Sequence, residues 1–141
     1  MTVTRADRFT ANDKTNQIYS DFLTDLNPHP VSGDIVRFVN ENAVIRSIKN
    51  LIQTDRGERR YHPTIGSDIR KMLFEPMSSA AAEMISQFIQ DTIDKHEPRA
   101  KVLYVSVIPN YDKNLYTIQC QIMVINKQEP VSFNVTLQRV R

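Results

Sequence analysis

The acidic residues of this 141-residue sequence are the first that could carry chemistry. Cleavage of a glycosidic bond needs two carboxyl groups across a cleft, one of them with a raised pKa. Asp91 and Asp94 lie on the polar side of a predicted helix, where a charge is simply solvated. Any chain with sixteen acidic residues offers such pairs, so the acids alone do not support a carbohydrate-cleaving enzyme. The candidate carboxylates are Glu75, Glu83, Asp91, Asp94 and Glu97.

The sequence offers even fewer residues for covalent catalysis, metal binding or phosphate binding. The single cysteine, Cys120, excludes an internal disulfide, and its place on the apolar face of a predicted strand favours a small buried core residue. His29, His62 and His96 lie far apart and show no metal-ligand spacing. The three glycines are not clustered into a phosphate-binding loop. We therefore expect neither a cofactor nor a metal.

A short charged run lies in the polar loop of residues 54–66 and contains Arg56, Glu58, Arg59 and Arg60. Such a run is typical of a docking patch for a partner's carboxylates or phosphates. It is equally typical of a solvated loop, because arginine-rich loops occur at both kinds of surface.

A second charged motif, Glu97, Pro98 and Arg99, lies between a predicted long helix and the first predicted long strand. Proline disfavours helix at the residue before it, so the motif marks the end of the helix. By composition alone, a helix stop with a local ion pair is the simpler interpretation.

Composition limits the class of protein. Eighteen Lys and Arg against sixteen Asp and Glu give a formal charge of +2, and this near-balance argues against a nucleic-acid partner. Hydrophobic residues make up 40%, which is ordinary for a globular domain with its own core. No apolar run approaches the roughly 18 residues of a membrane span, and the N-terminus lacks the apolar stretch of a signal peptide. We expect a soluble protein made in the cytoplasm, with no membrane partner.

Hydrophobic periodicity predicts helices in the first two thirds of the chain. Residues 1–17 are polar and aperiodic, which predicts a mobile arm followed by a single domain over residues 18–141. One helix begins near Asn40 or Asn42, a short one is capped by Ser67, and a long one begins near Ser78 or Ser79.

From Lys101 onward the period changes to two, which predicts strands. Residues 102–108 are almost wholly apolar and predict a strand covered on both faces. In the last strand, polar residues alternate with Val131, Phe133, Val135 and Leu137. Helices first and strands last predict an α+β fold, with N-terminal helices packed on a C-terminal three-stranded antiparallel meander.

The last strand has only one neighbour in this arrangement. Unpaired backbone N–H and C=O groups on a long alternating strand invite another chain, and only Arg139 and Arg141 blunt its end. A partner could add a strand here, or residues 35–39 could cover the edge.

The order of motifs resembles a known family. The chain reads RSIKNLI at residues 46–52, TDRGER at 54–59, HP at 62–63, Gly66, LFEP at 73–76, a long helix, then Glu97, Pro98 and Arg99 before a β-meander. Over about residues 35–140 this is similar to the small baseplate wedge proteins of contractile-tailed phages. These sheath initiators are related to the lysozyme-like baseplate component of type VI secretion systems.

That resemblance implies a structural component of the virion, assembled in the host cytoplasm, and not an enzyme. It implies that Glu97, Pro98 and Arg99 bind other baseplate wedge proteins and their core helical bundle. It also implies that the last strand templates the first ring of tail sheath subunits by strand addition, with Val131, Phe133, Val135 and Leu137 as its partner-binding residues. A type VI secretion baseplate component, or a peptidoglycan-cleaving lysozyme-like enzyme, is the alternative.

Overall fold

The computed structural model describes residues 17–22, 28, 30, 31, 33–125, 127 and 129–139. These residues form β1 (Ser20–Phe22), β2 (Arg37–Val39), α1 (Glu41–Gln53), α2 (Ile69–Met72), α3 (Ser79–His96), β3 (Ala100–Asn110), β4 (Leu115–Val124) and β5 (Pro130–Gln138). The predicted mobile arm lies, apart from Gln17, outside the described residues and stays a prediction. Among the helices described, none combines the length and the apolar character that a bilayer span requires.

The two long helices bury apolar faces whose residues recur every three or four positions. In α1 the buried face includes Val44, Ile48 and Ile52. The long helix α3 begins where the sequence predicts, because the Oγ of Ser78 accepts a hydrogen bond from the backbone N–H of Ala81 at 3.1 Å. Its buried face is completed by Ala82, Ile85, Ile89 and Ile93.

The C-terminal strands form an antiparallel sheet in the order β3-β4-β5, as predicted. In β4, every second side chain points to the helices, and each lies opposite a buried or half-buried residue of β5. The paired residues are Tyr116 and Leu137, Ile118 and Val135, Cys120 and Phe133, and Ile122 and Val131. The core therefore lies between one face of this sheet and the helices, and the predicted α+β class is confirmed.

The prediction that the first long strand is covered on both faces is wrong. Tyr104 is 59% exposed, and Leu103 and Ile108 are also exposed on β3. The strand lies at one edge of the sheet, and only its inner face packs on α3. The pairing of β3 with β4 is also irregular between Val102 and Tyr104. This irregularity interrupts the alternation of buried and exposed side chains, so the sequence does not show the period of two that indicates an exposed face.

The alternative that residues 35–39 cover the edge of the last strand is also wrong. Strand β2 pairs instead with β1, in a separate two-stranded sheet. Asn40 fixes this small sheet to the start of α1, because its side-chain Oδ1 accepts the N–H of Ile18 at 3.0 Å and its own N–H donates to the carbonyl of Tyr19 at 2.7 Å. Asn40 precedes the helix as predicted, but its side chain makes no helix cap.

The loop of residues 54–67 closes on itself between α1 and α2. Its two ends pair through the N–H of Ser67, which donates to the carbonyl of Thr54 at 2.9 Å. Ser67 does not cap the short helix as predicted; its buried Oγ donates to the carbonyl of Ile52 at 2.8 Å. Gly66 has φ +129°, and a Cβ there would lie 2.7 Å from the carbonyl oxygen of Thr54, so the closure requires glycine.

Candidate partner-binding surfaces

Glu97 joins the end of α3 to the start of β3 and is buried against α1. Its carboxyl side chain is only 3% exposed. Oε1 accepts a hydrogen bond from Arg99 Nε at 2.6 Å, and Oε2 accepts one from Arg99 Nη2 at 2.8 Å. Oε2 also accepts the Oγ hydrogen of Ser47 at 2.6 Å. The motif therefore ties α1, the end of α3 and the first strand of the sheet together.

The electrostatics of this site keep Glu97 ionised. Burial of the carboxyl group acts to raise its pKa, but the hydrogen bonds from Arg99 and Ser47 and the positive charge of Arg99 outweigh burial, so the pKa lies below its ordinary value. The pKa of Arg99 is raised in turn, mainly by its hydrogen bonds to Glu97. A general acid needs a raised pKa, so this carboxyl group is unsuited to that role.

Only part of the motif can reach a partner. Pro98 is exposed. The Arg99 side chain is 37% exposed, and its guanidinium carbon lies 5.4 Å from the ring centroid of Tyr19. The contact of Glu97, Pro98 and Arg99 with a wedge partner stays a prediction, in which Glu97 holds Arg99 in place from inside the fold.

Arg56 and Arg59 of the charged run are both exposed, but Arg56 also forms an ion pair within the chain. Arg56 Nη1 lies 2.9 Å from Asp68 Oδ2. The pKa of Asp68 is lowered, first by a hydrogen bond from Lys71 and also by the charge of Arg56. Arg59 lies on the exposed part of the same loop. A partner's carboxylate would thus compete with Asp68 at Arg56, and the role of both arginines stays a prediction.

The free edge of β5 has backbone groups that point away from the sheet. The N–H of Arg139 donates to the carbonyl of Asn114 at 3.0 Å, continuing the β4–β5 register. Because backbone direction alternates along an antiparallel pair, every second residue from Arg139 faces β4, namely Leu137, Val135, Phe133 and Val131. The residues between them present their N–H and C=O groups outward: Ser132, Asn134, Thr136 and Gln138. In the part of the chain that the structure describes, no strand pairs with these groups.

The opposite edge of the sheet is protected in three ways. The same alternation directs the backbone of Val105 outward, and Ser86 Oγ of α3 donates to that carbonyl at 3.2 Å. Pro109 also lies at an outward position and has no N–H to offer. The pairing irregularity between Val102 and Tyr104 interrupts the regular spacing of the outward N–H and C=O groups in the remaining part of this edge. The two edges therefore differ in their capacity to accept a strand.

The remaining candidates for chemistry are not assembled into a site. Among the described residues, no group of three or more His, Cys, Asp or Glu could hold a metal ion. Asp91 forms a solvent-exposed ion pair with Lys95 at 3.6 Å. Cys120 is buried in the core as predicted, and burial raises the pKa of its thiol to about 11.

Sequence reasoning missed three residues of these surfaces: Ser47, Ser86 and Tyr19. Ser47 and Glu97 are fifty positions apart, so no local spacing connects them. Ser86 lies between Ile85 and Gln87 and is one of several polar residues of α3, so nothing in the sequence distinguishes it. Tyr19 belonged to a short apolar patch without periodicity.

Comparison with known proteins identifies the family of the chain. A family described as baseplate wedge protein gp25 matches residues 39–129, from the end of β2 to the residue before β5. Baseplate wedge protein gp25 of Enterobacteria phage T4 is 30% identical over 120 residues, which cover 82% of this chain and 87% of the relative.

Solved structures share the fold at lower identity. A Geobacter sulfurreducens protein named as a tail lysozyme has a TM-score of 0.65 and 20% identity, over 70% of this chain and 89% of its own. A chain of the anti-feeding prophage baseplate has a TM-score of 0.58 and 19% identity, over 87% of both chains. Such identities show the fold alone, so the lysozyme name transfers no activity. The family match and the T4 relative decide the assignment: the chain belongs to the baseplate wedge protein gp25 family and is a structural component of contractile-tail baseplates.

Proposed function

We propose that this chain joins the inner baseplate wedge to the first ring of tail sheath subunits, and that a sheath subunit adds a strand to the free edge of β5. The observation that carries the proposal is the row of outward backbone groups from Ser132 to Gln138, which no described strand pairs. Four residues there each offer an N–H and a C=O. Backbone hydrogen bonds supply affinity in strand addition, while alternating side chains supply specificity.

The difference between the two edges supports β5 as the acceptor. A strand approaching β3 would meet the missing N–H of Pro109, a carbonyl already bonded to Ser86, and an irregular ladder. A strand approaching β5 meets regular geometry from Val131 to Gln138, because Pro130, which also lacks an outward N–H, is the first residue of the strand and leaves the later positions open.

Register would be maintained by the two faces of the sheet. The side chains of Phe133 and Val135 are buried toward the helices, whereas Asn134 and Thr136 are exposed on the other face. An added strand continues both faces, so a slip of one residue would turn its apolar side chains to water. A template that must survive the force of sheath contraction needs such a fixed register.

The wedge side of the protein is assigned to Pro98 and Arg99, with Arg56 and Arg59 as further contacts. Chains that share this fold occur in the anti-feeding prophage baseplate and in the baseplate complex of a type VI secretion system. Other baseplate wedge proteins and the core helical bundle are the corresponding partners here. The 30% identity to the phage T4 protein favours a virion tail baseplate, assembled in the host cytoplasm, over a secretion system.

Proline at an outward position tests the proposal. Asn134→Pro removes an N–H that faces away from β4 and places a ring on the pairing side, while the ladder with β4 keeps its hydrogen bonds. Asn134→Ala is the matched control, because it removes the side chain and keeps the N–H. Each variant is mixed with the wedge and sheath proteins of the same tail, and assembled sheaths are counted by negative-stain electron microscopy.

We expect Asn134→Pro to enter wedges normally but to reduce sheath nucleation at least about tenfold, the effect of about 1.4 kcal/mol. Asn134→Ala should nucleate sheaths like the native chain. Thr136→Pro, at the next outward position, repeats the test if the first variant folds poorly. Normal sheath assembly by a folded proline variant would refute strand addition at β5.

A further inference from the structure

An apolar cleft lies beside the C-terminal end of β5, at the level where an added strand would run. It is lined by Ile52 of α1, by Ile69 and Leu73 at α2, and by Leu137 of β5. The first three side chains are buried, whereas Leu137 is half-buried and so has apolar surface left uncovered. The ion pair of Arg70 with Asp55, at 2.8 Å, forms its polar rim.

Helix α1 follows β5 along the side that faces the core. Near the start of β5, Lys127 Nζ lies 3.0 Å from Glu41 Oε1 at the first residue of α1. In the middle, Lys49 Nζ lies 5.8 Å from the ring centroid of Phe133. At the end, Ile52 and Leu137 line the same cleft. A strand added beside β5 lies about 4.8 Å further out and passes along the same helix.

Lys49 is a charged group of α1 that lies beside the middle of β5, on the side along which such a strand would pass. Its ammonium contacts the face of Phe133, and it forms no ion pair with any carboxylate of the described residues. The side chain is half-buried, so an opposing carboxylate would be partly shielded from water and would gain more than at an open surface.

We infer that the strand received by β5 carries, on its core-facing side, a carboxylate for Lys49 and a bulky apolar side chain for the cleft beside Leu137. Phe133 and Leu137 are four residues apart on β5, so the two groups on the partner strand are also four residues apart. Positions i and i+4 lie on one face of a strand, whereas i and i+3 do not. This inference rests on the proposed strand addition and specifies the chemistry of the partner.

Peptide binding to the full chain tests the inference. Three strand peptides are compared by two-dimensional NMR, with the β5 amides as reporters. One has Glu and Leu four positions apart, one has the same composition with Glu and Leu three positions apart, and one has Lys and Leu four positions apart. Each is made with the two residues in either order, because an added strand can run parallel or antiparallel to β5. Two protein variants complete the set: Lys49→Glu, which reverses the charge, and Asn134→Pro, which blocks the edge.

We expect the first peptide to bind about fivefold more tightly than the third, and Lys49→Glu to invert that preference. The i and i+3 peptide should lose about tenfold in affinity, because its Leu would face water. Asn134→Pro should abolish binding of all three.

Other outcomes overturn the inference in different ways. Edge binding that Asn134→Pro abolishes but that shows no preference for charge or spacing would refute the partner chemistry and leave strand addition standing. Binding that Asn134→Pro does not affect, or no binding by any peptide, would count against both. Binding only after removal of residues 1–16, or dimerisation through the edge, would assign the cleft to this chain itself.

Discussion

The network around Glu97 predicts that its two hydrogen-bonding partners contribute unequally to stability. Arg99→Ala removes two of the three side-chain hydrogen bonds and the guanidinium charge beside Glu97, leaving the buried carboxylate with the Ser47 hydroxyl and the backbone N–H of residue 99. Removing one member of a buried ion pair costs about 3 to 5 kcal/mol, and the partial exposure of Arg99 places this case near 3 kcal/mol. Ser47→Ala removes one hydrogen bond to a charged group, which costs about 1.5 kcal/mol.

Urea and thermal unfolding at pH 7 measure both changes. For a domain of this size, 1 kcal/mol corresponds to about 3 to 4 °C in Tm. We therefore expect Tm to fall by about 10 °C for Arg99→Ala and by about 5 °C for Ser47→Ala. The double variant Glu97→Gln/Arg99→Ala should be more stable than the sum of the two single losses predicts, because no unpaired carboxylate remains.

The dependence on pH provides a second readout. The pKa of Glu97 is lower in the folded chain than in the unfolded one, so the unfolded state binds the proton first as pH falls. The stabilisation by Glu97 is complete above the unfolded pKa of about 4.3 and is lost as pH falls through the folded pKa. Glu97→Gln should therefore reduce the slope of unfolding free energy against pH at acid pH, which is the acid limb of that curve. If Arg99→Ala changed stability by less than about 0.5 kcal/mol, or if Glu97→Gln left the acid limb unchanged, the assigned network would be refuted.

Three further predictions follow from single contacts. Arg99→Ala should weaken incorporation into wedges more than Ser47→Ala, compared at a temperature where both are folded in pull-down assays; equal incorporation would make the motif purely structural. Gly66→Ala should destabilise the chain by about 2 to 3 kcal/mol in urea unfolding, because its Cβ would collide with the Thr54 carbonyl at φ +129°. Cys120 should react with a thiol reagent at pH 8 only after unfolding, since it is buried and its pKa is raised to about 11; rapid labelling of the native chain would contradict this.

The sequence was sufficient for features that depend on local pattern. The alternation from Val131 to Leu137 requires one buried face, and its partner β4 follows from the short turn between them. The start of α3 was predictable at Ser78 or Ser79, because a hydroxyl residue there precedes a long apolar period, and the structure places the cap at Ser78. The α+β class followed because the period changes only once along the chain.

Features that depend on tertiary packing could not be predicted from the sequence. The continuous apolar run in β3 is compatible with burial on both faces, and only the strand order shows that one face is exposed. Ser67 has the residue type of a helix cap, but the carbonyl of Ile52 competes successfully for its hydroxyl. The pairing of β2 with β1 depends on Asn40, whose side chain bonds to a residue twenty-two positions away.

The unequal protection of the two sheet edges has a consequence for assembly. A sheet with two open edges can add chains at both, which leads to uncontrolled association. In this chain Ser86, Pro109 and the irregularity at Val102 protect one edge, whereas regular geometry is kept at β5. The proposed role in sheath initiation requires a strand to be accepted on one side and growth to stop on the other, and the two edges of this sheet differ in that sense. Removing the protection should therefore create a second acceptor: Pro109→Val together with Ser86→Ala should produce dimers or larger species in sedimentation, whereas Asn134→Pro alone should not.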